Sequence, residues 1–449
     1  MDIQSLMNKI DEQREDLIAL HQELVKIPSV NTGFMPTGNE TAVCNYVRDW
    51  LKKYGIESEI LARDPDRGNI IASIEGKSKT NGLLLMSHTD VVPVEDIDKW
   101  EYEPFSAKRA NGRIYGRGAS DCKGLLACQL FAMKIVKEAG IELEDNLVLA
   151  SGADEEHGGR YGFGWLVENH LDKISSPYAV NEGGGEAIQT KSNTTYAVGV
   201  GEKGRLQIEI DVKGSSAHAS TPWQGENASY LLRQVLERIE NYEPERDTST
   251  NFFEYLSLLA IEHKPMASNI DSIISDVEKD SPRLASRMKA LSRMTVTPTM
   301  ISGGIKSNSV PESIRLTCDV RTLPTQDETY LRNELDKMFE GISNVNYEID
   351  NMALSNESNF ETPLMESLKR ATALAVGSDN IQYVPAISTG FTDSRFLRPT
   401  GTITYGFSGS HPDDDPMISF IHGTNESIGI KSLINGAKIM TGLVIDMLT

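Results

Sequence analysis

Residues 82–90 read Gly82-Leu83-Leu84-Leu85-Met86-Ser87-His88-Thr89-Asp90. A short apolar run bounded by glycine and by polar residues has the form of a buried strand. Residues i and i+2 of an extended chain point to one face. His88 and Asp90 can therefore meet at the carboxyl end of this strand, where open α/β sheets place their ligands. A metal-bound imidazole commonly gives its second N–H to a carboxylate, which fixes the tautomer. The His-x-Asp order supplies both partners, although alone it describes a structural hydrogen bond equally well.

Outward from this strand, helical and extended patterns alternate. Residues 1–26 predict one amphipathic helix, stopped at Ile27-Pro28. A second helix is expected over 39–54, with Val43, Val47, Trp50 and Leu51 on one stripe. Strands are expected near 57–61 and 69–74. Residues 124–138 form a strong helical pattern, with Leu125, Leu126, Leu130, Met133 and Val136 on one stripe. Two more buried strands follow. Residues 146–151 lead into Asp154-Glu155-Glu156-His157-Gly158-Gly159, and 177–180 lead into Asn181-Glu182. Alternation of this kind predicts an α/β sandwich with a partly parallel sheet.

The texture changes near Gly204. Residues 206–212 alternate apolar and polar side chains, as a half-exposed antiparallel strand does. With helices at 227–240 and 328–339 and strands at 295–301, 314–320 and 344–349, the order becomes β-α-β-β-α-β, the ferredoxin-like pattern. Residues 246–293 interrupt it as a polar, helical insertion. A helix at 363–375, a strand at 402–407 and a last helix from about Ser427 complete the chain. The expected domains are 1–203, 204–350 and 351–449, the first and last being two parts of one catalytic domain.

A chain of 449 residues exceeds one hydrophobic core. The net charge of −21 argues against nucleic-acid and anionic-membrane partners. No apolar run approaches the roughly 20 residues of a membrane span. The N-terminal residues lack the apolar core of a signal peptide. Cys44, Cys122, Cys128 and Cys318 form no Cys-x-x-Cys pair, which suggests reduced thiols and a cytoplasmic setting.

Two zinc ions sharing a bridging carboxylate need, at each ion, a histidine, a terminal carboxylate and the bridge, with a position left for water. His88, Asp121, Glu156, Glu182 and His422 make up such a set, with Glu155 beside it as general base. Each residue also has a plainer reading: a solvated acidic pair for Glu155-Glu156, a helix N-cap for Asp121, a loop for Glu182, a surface histidine for His422.

Several stretches together resemble the M20 family of metallopeptidases and amidohydrolases. They are SHTDVVP (87–93), YGRGASDCKG (115–124), DEEHGG (154–159), NEGGG (181–185), GSSAHASTPWQGENA (214–228), DVRTLP (319–324), GFTDSR (390–395) and IHGTNE (421–426). The family includes carboxypeptidases, aminoacylases, acetylornithine deacetylase and succinyl-diaminopimelate desuccinylase. The resemblance implies a zinc-exopeptidase-like α/β/α catalytic domain with an inserted ferredoxin-like lid and dimerisation domain, and a homodimer. It implies His88 and Glu182 on one metal, Glu156 and His422 on the other, Asp121 bridging, Asp90 behind His88 and Glu155 as base. It also implies a cis peptide at Asp121–Cys122. His218 would stabilise the oxyanion, and Arg321, Asn308 and Thr392 would bind substrate. The cofactor would be two Zn2+ per chain, with Co2+ or Mn2+ as alternatives. The substrate would be a dipeptide or short peptide with a free carboxylate. An N-acyl amino acid is the alternative within the class, and a non-catalytic metal-binding homologue the alternative outside it.

His411 is a weaker ligand candidate than His422, whose IHGTNE setting matches the family. His157 carries no assignable role, and His21, His170 and His263 read as ordinary surface or core residues. Two departures from the family pattern lie where substrate is expected to be read: Phe391 stands where many relatives have a second glycine, and the 246–293 insertion is longer than in compact members.

Overall fold

The structure, a computed structural model, describes residues 2–189, 193–255 and 264–449. His263 lies outside the described residues. The chain divides into two compact units, one of residues 1–200, 358–386 and 392–449, the other of residues 201–357 and 387–391.

The first unit is built on a mixed sheet. Its strands run, in spatial order, Glu57–Ala62, Gly68–Ile74, Asn146–Gly152, Asn81–His88, Tyr178–Asn181, Ile403–Gly406 and Thr194–Glu202. The strand Asn81–His88 sits between two parallel neighbours, with His88 opposite Gly152 and Leu85 opposite Val180. Parallel alignment brings the carboxyl ends at His88, Gly152 and Asn181 to one edge of the sheet, and the loop leading to Glu155 starts there. Residues 82–88 are all buried, because helices cover both faces. Phe163 and Leu166 of the helix Phe163–Ile174 pack on Leu84, Met86 and Val148. The helices Lys123–Glu138 and Ile430–Leu448 pack together against the sheet.

The expected single stripe on Lys123–Glu138 is an underestimate, since residues 123–136 are buried all round. Its polar members bond internally: Gln129 Nε2 donates to the Met86 carbonyl at 2.7 Å, Lys123 Nζ to the Ile27 carbonyl at 2.6 Å and Lys134 Nζ to Gln13 Oε1 at 2.9 Å. The expected helix over 1–26 is in fact two, Ile3–Glu12 and Arg14–Lys26. Gln13 (φ −96°, ψ 16°) breaks it, and Glu15 and Asp16 then supply negative charge to the first turn of a new helix. The last helix begins at Ile430 rather than Ser427, because Ser427–Gly429 is extended and pairs with Arg113–Tyr115. The strands Thr194–Glu202 and Ile381–Ser388 were not expected from the pattern. Gly199 of the former is required by close approach: a Cβ there would lie 2.2 Å from the Gly183 carbonyl oxygen.

The second unit holds a four-stranded antiparallel sheet in the order Thr295–Gly303, Ser313–Arg321, Arg205–Lys213, Val345–Ala353. Burial alternates along Arg205–Lys213. Its inward side chains Leu206, Ile208, Ile210 and Val212 form a core with the helices Ala228–Glu240 and Glu328–Met338. The described part of the insertion carries the helices Asn251–Glu254, Ile270–Asp280 and Pro282–Leu291. The chain is therefore an α/β/α unit interrupted by a ferredoxin-like α+β unit. All four cysteines are free and buried. Among the described residues no helix is long and apolar enough to cross a membrane.

Candidate metal centre

Three aligned strand ends, with the loops that carry Asp121 and His422, bring five of the candidate side chains together in the first unit. His88 Nε2 lies 2.9 Å from Asp121 Oδ1 and 3.5 Å from Glu182 Oε1. His422 Nε2 lies 3.1 Å from Asp121 Oδ2 and 3.1 Å from Glu156 Oε2. The two oxygens of Asp121 thus face different imidazoles, each with its own second carboxylate. The Asp121–Cys122 peptide bond is cis.

Ligands about 2.0–2.1 Å from a tetrahedrally coordinated ion lie about 3.3–3.4 Å from one another. The four separations, 2.9, 3.5, 3.1 and 3.1 Å, lie within about half an ångström of that value. Glu156 Oε1 is buried and makes no hydrogen bond. His88 Nδ1 lies 3.0 Å from the backbone carbonyl of Asp90 and 3.4 Å from its Oδ1. Both are acceptors, so Nδ1 carries a proton; Nε2, which here donates to Asp121, gives up its own proton to expose the lone pair that ligation uses. The nearer partner is the backbone carbonyl rather than the carboxylate. Asp90 uses its carboxylate elsewhere, accepting the backbone N–H of Glu155 on Oδ1 at 3.1 Å and of Glu156 on Oδ2 at 3.2 Å. Asp90 therefore ties the His88 strand to the turn that carries both glutamates.

A cradle holds the Asp121 loop. Buried Glu426 accepts from the backbone N–H groups of Gly118 at 3.1 Å, Ser120 at 3.0 Å and Asp121 at 3.1 Å, and pairs with Arg117 Nη1 at 2.7 Å. Arg117 also donates to the His422 carbonyl at 3.2 Å, joining the two ligand loops.

Crowding shifts the ionisations. Burial and then the Asp121 charge push Glu182 up to about 8. Burial and then Glu182 hold Glu155 well above the usual carboxylate range. Its hydrogen bonds to Asp121 and then to Glu156 push His422 up to about 10. Burial works against the Asp121 carboxylate, yet His422 and His88 together hold it well below its ordinary value. Three half-buried carboxylates, the buried His88 and the more exposed His422 make a cluster suited to cations, with hard oxygen and borderline nitrogen donors. Cys122 adds a thiol whose Sγ lies with donor atoms of His88 and Glu182 within a 4.8 Å group. Burial pushes that thiol up to about 12.

The other candidates fall in two places. Thr392, in the first unit, accepts from Ser394 N at 3.2 Å and from Asn181 Nδ2 at 3.4 Å, next to the strand that leads into Glu182. His218, Asn308 and Arg321 lie in the second unit. The exposed His218 Nδ1 accepts from Ser220 N at 3.2 Å, which leaves the proton on Nε2 as a donor. The Asn308 carbonyl accepts from Ala219 N at 3.0 Å, so Asn308 sits beside the His218 segment. Arg321 Nε donates to Asp319 Oδ1 at 2.7 Å and its Nη1 to the Thr389 carbonyl at 2.9 Å.

The remaining histidines have other surroundings. His21 is buried on the Ala119 carbonyl at 2.8 Å, and burial pushes it down to about 4. His411 Nδ1 accepts from Asp413 N at 3.1 Å. His157 faces Phe34 with ring centroids 6.4 Å apart, and His170 faces Trp165 at 4.7 Å. Sequence reasoning gave no role to Glu426, although it stands in the quoted IHGTNE stretch, nor to Asn31, which bonds Asp90.

Known proteins resemble the chain over nearly its whole length. A probable succinyl-diaminopimelate desuccinylase of Staphylococcus epidermidis is 27% identical over 418 residues, 92% of this chain and 93% of that protein. An uncharacterized metallohydrolase of Methanocaldococcus jannaschii is 27% identical over 395 residues, covering 81% and 85%. Among solved structures, an M20 family metallo-carboxypeptidase from Sulfolobus solfataricus superposes with a TM-score of 0.73 at 20% identity, covering 96% and 98% of the two chains. Human carnosine dipeptidase 1 does so with a TM-score of 0.66 at 16% identity, covering 99% and 98%. The model of peptidase family M20/M25/M40 matches residues 84–446, from the strand of His88 into the final helix. The chain belongs to that family and is one of its metal-dependent peptidases and amidohydrolases.

Proposed function

We propose that this enzyme is a di-zinc hydrolase that cleaves the amide bond of a dipeptide or short peptide bearing a free carboxylate. The observation that carries the reading is Asp121, whose two oxygens each face a separate imidazole–carboxylate pair. His88 and Glu182 would hold one ion and His422 and Glu156 the other, with Asp121 shared. Two such ions, when bound, supply Lewis acidity that polarises the scissile carbonyl and makes water a better nucleophile near neutral pH.

The protein's own groups do the rest. Glu155 takes a proton from the attacking water as the C–O bond forms. It returns that proton to the nitrogen as the C–N bond breaks, leaving a carboxylate and an amine. Its raised proton affinity suits a group that must both accept and release. His218 Nε2–H donates to the oxyanion, and Arg321, Asn308 and Thr392 hold the substrate carboxylate, with a guanidinium fork suited to that shape. The middle unit acts as lid and dimerisation domain.

The loop leading to His422 exposes Met417, Phe420 and Ile421, which favours a substrate with an apolar side chain. A second reading, N-acyl-amino-acid deacylase, is favoured by the relatives named as probable desuccinylases. A panel of dipeptides and N-acyl amino acids, assayed with zinc, cobalt or manganese, separates the two. Hydrolysis of apolar dipeptides ahead of N-succinyl and N-acetyl substrates is expected. Preference for an acyl substrate moves the assignment to the second reading, and no turnover with metal bound removes both.

A further inference from the structure

Behind the candidate ligands lies a buried polar network that the roles above leave unused. Asn31 stands between two carboxylates: its Nδ2 donates to Asp90 Oδ2 at 2.8 Å and to Asp154 Oδ1 at 3.1 Å. The other end of the amide, Oδ1, accepts from the backbone N–H of Gly33 at 2.9 Å, which sets which end faces the carboxylates. Asp154 Oδ1 also accepts from Arg67 Nη2 at 3.0 Å. Arg67 in turn closes a two-pronged pair with Glu40, Nε to Oε2 at 2.8 Å and Nη2 to Oε1 at 2.8 Å. All five residues are buried, none more than 4% exposed. Charges taken out of water to this degree persist only when each is paired and hydrogen-bonded. Removal of one member leaves the others uncompensated.

The near end of the network is the turn of the metal centre. Asp154 opens that turn in the left-handed region (φ 64°), and Asp90 holds the next two N–H groups, those of Glu155 and Glu156. Two negative groups meet at Asn31, and its amide supplies one N–H to each. An aspartate there would have nearly the same shape, would lose both donors and would place a third negative charge between the two.

We propose that Asn31 and the Arg67–Glu40 pair are positioning residues: by holding Asp90 and Asp154 they fix the turn that aims Glu155 at the substrate and Glu156 at its ion. The inference rests on the reading of those two glutamates as base and ligand. Its test measures zinc affinity against a chromogenic chelator, without substrate, alongside kcat, KM and melting temperature. The variants are Asn31→Asp, Asn31→Ser and Arg67→Met. Groups that orient ligands typically contribute 10–100-fold to metal affinity or activity. Asn31→Asp is expected to lose about 10–100-fold in affinity for one ion and a similar factor in kcat, with KM unchanged. Arg67→Met is expected to follow it. Asn31→Ser, neutral and still a donor, is expected to retain more of both. Wild-type zinc affinity and kcat in the variants overturn the proposal. So does a fall in melting temperature alone, which would make the network purely structural. If Asn31→Asp does not fold, Asn31→Ser and Arg67→Met are judged by the same two readouts. A wild-type chain that binds no zinc overturns the metal-centre reading itself; intact wild-type binding with unaffected variants overturns only this inference.

Discussion

Glu155 and Glu156 are neighbours in the chain with different surroundings, and that difference predicts opposite phenotypes. Glu156 Oε2 sits 3.1 Å from His422 Nε2 within one donor cluster, whereas Glu155 is buried beside the charge of Glu182. Glu155→Gln is expected to keep both ions and lose 10²–10⁴-fold in turnover, the usual contribution of a positioned acid–base group. Glu156→Gln is expected to weaken one ion. Metal content by elemental analysis with single-turnover rates checks both, and metal loss in Glu155→Gln but not in Glu156→Gln would reverse the roles. The proton balance gives a second expectation. Before metal binds, His422 holds its proton up to about pH 10 and Glu182 up to about pH 8, yet ligation needs neutral imidazole and ionised carboxylate. The metal-free state therefore binds more protons than the metal-bound state, and affinity rises with pH. Zinc titrated into weakly buffered protein should release more protons at pH 7 than at pH 9, where the Glu182 contribution has gone; equal release at both would contradict these ionisations. At this scale the sequence offered the candidate ligands that the structure brings together, because each sits where an apolar run ends in acidic or imidazole residues or in a stretch matching the family. It could not disclose Asn31, Arg67 or the role of Glu426. Their partners are 59 to 123 residues away for Asn31 and about 300 for Glu426, and no spacing pattern marks such pairs.

At the scale of elements, the strand Asn81–His88 is the part on which the proposed metal centre depends, since it carries His88 and joins the strands leading to Glu155 and Glu182. Leu84 is fully buried in it, packed with Met86, Val148 and Phe163. Leu84→Ala is expected to cost about 2–5 kcal/mol through lost burial and the cavity left behind, measured as a shift in the urea unfolding midpoint at unchanged m-value. A loss below about 1 kcal/mol would mean that the site can collapse around the smaller residue. This strand was legible because a strand buried on both faces has an unbroken apolar run. Arg205–Lys213 was legible for the opposite reason, since one solvated face leaves a strict alternation. The N-terminal helices were misread because a 3.6-residue rhythm continues across the break at Gln13. Thr194–Glu202 was missed because its glycines resemble loop residues. Gly199 is there to let the backbones of Gly183 and Gly406 approach, a tertiary demand that local pattern does not contain.

At the scale of the whole molecule, the chain leaves its first unit after residue 200 and returns at residue 358, so the proposed metal ligands come from both ends of the sequence. The proposed oxyanion donor lies in the interrupting unit. That unit ends its sheet with an edge strand, Thr295–Gly303, whose Met300 and Ile301 are 67% and 60% exposed. A long exposed edge with apolar side chains is a template for pairing with another chain. We propose that this edge contributes to a homodimer. Whether His218 then serves its own site or its partner's is decided by mixing two inactive proteins, Glu155→Ala and His218→Ala. In a mixed dimer, the site that keeps its own Glu155 belongs to the chain lacking His218, and the other chain still carries that histidine. If His218 acts across the dimer, that one site is complete and activity returns after subunit exchange. If it acts within one chain, every site carries a lesion and mixing restores nothing. Recovery is expected. One donor to a developing oxyanion is worth roughly 10²–10³ in turnover, so the restored rate should stand clear of either parent. Sedimentation of the mixture checks that dimers are present, and monomers throughout would remove the arrangement on which the recovery depends.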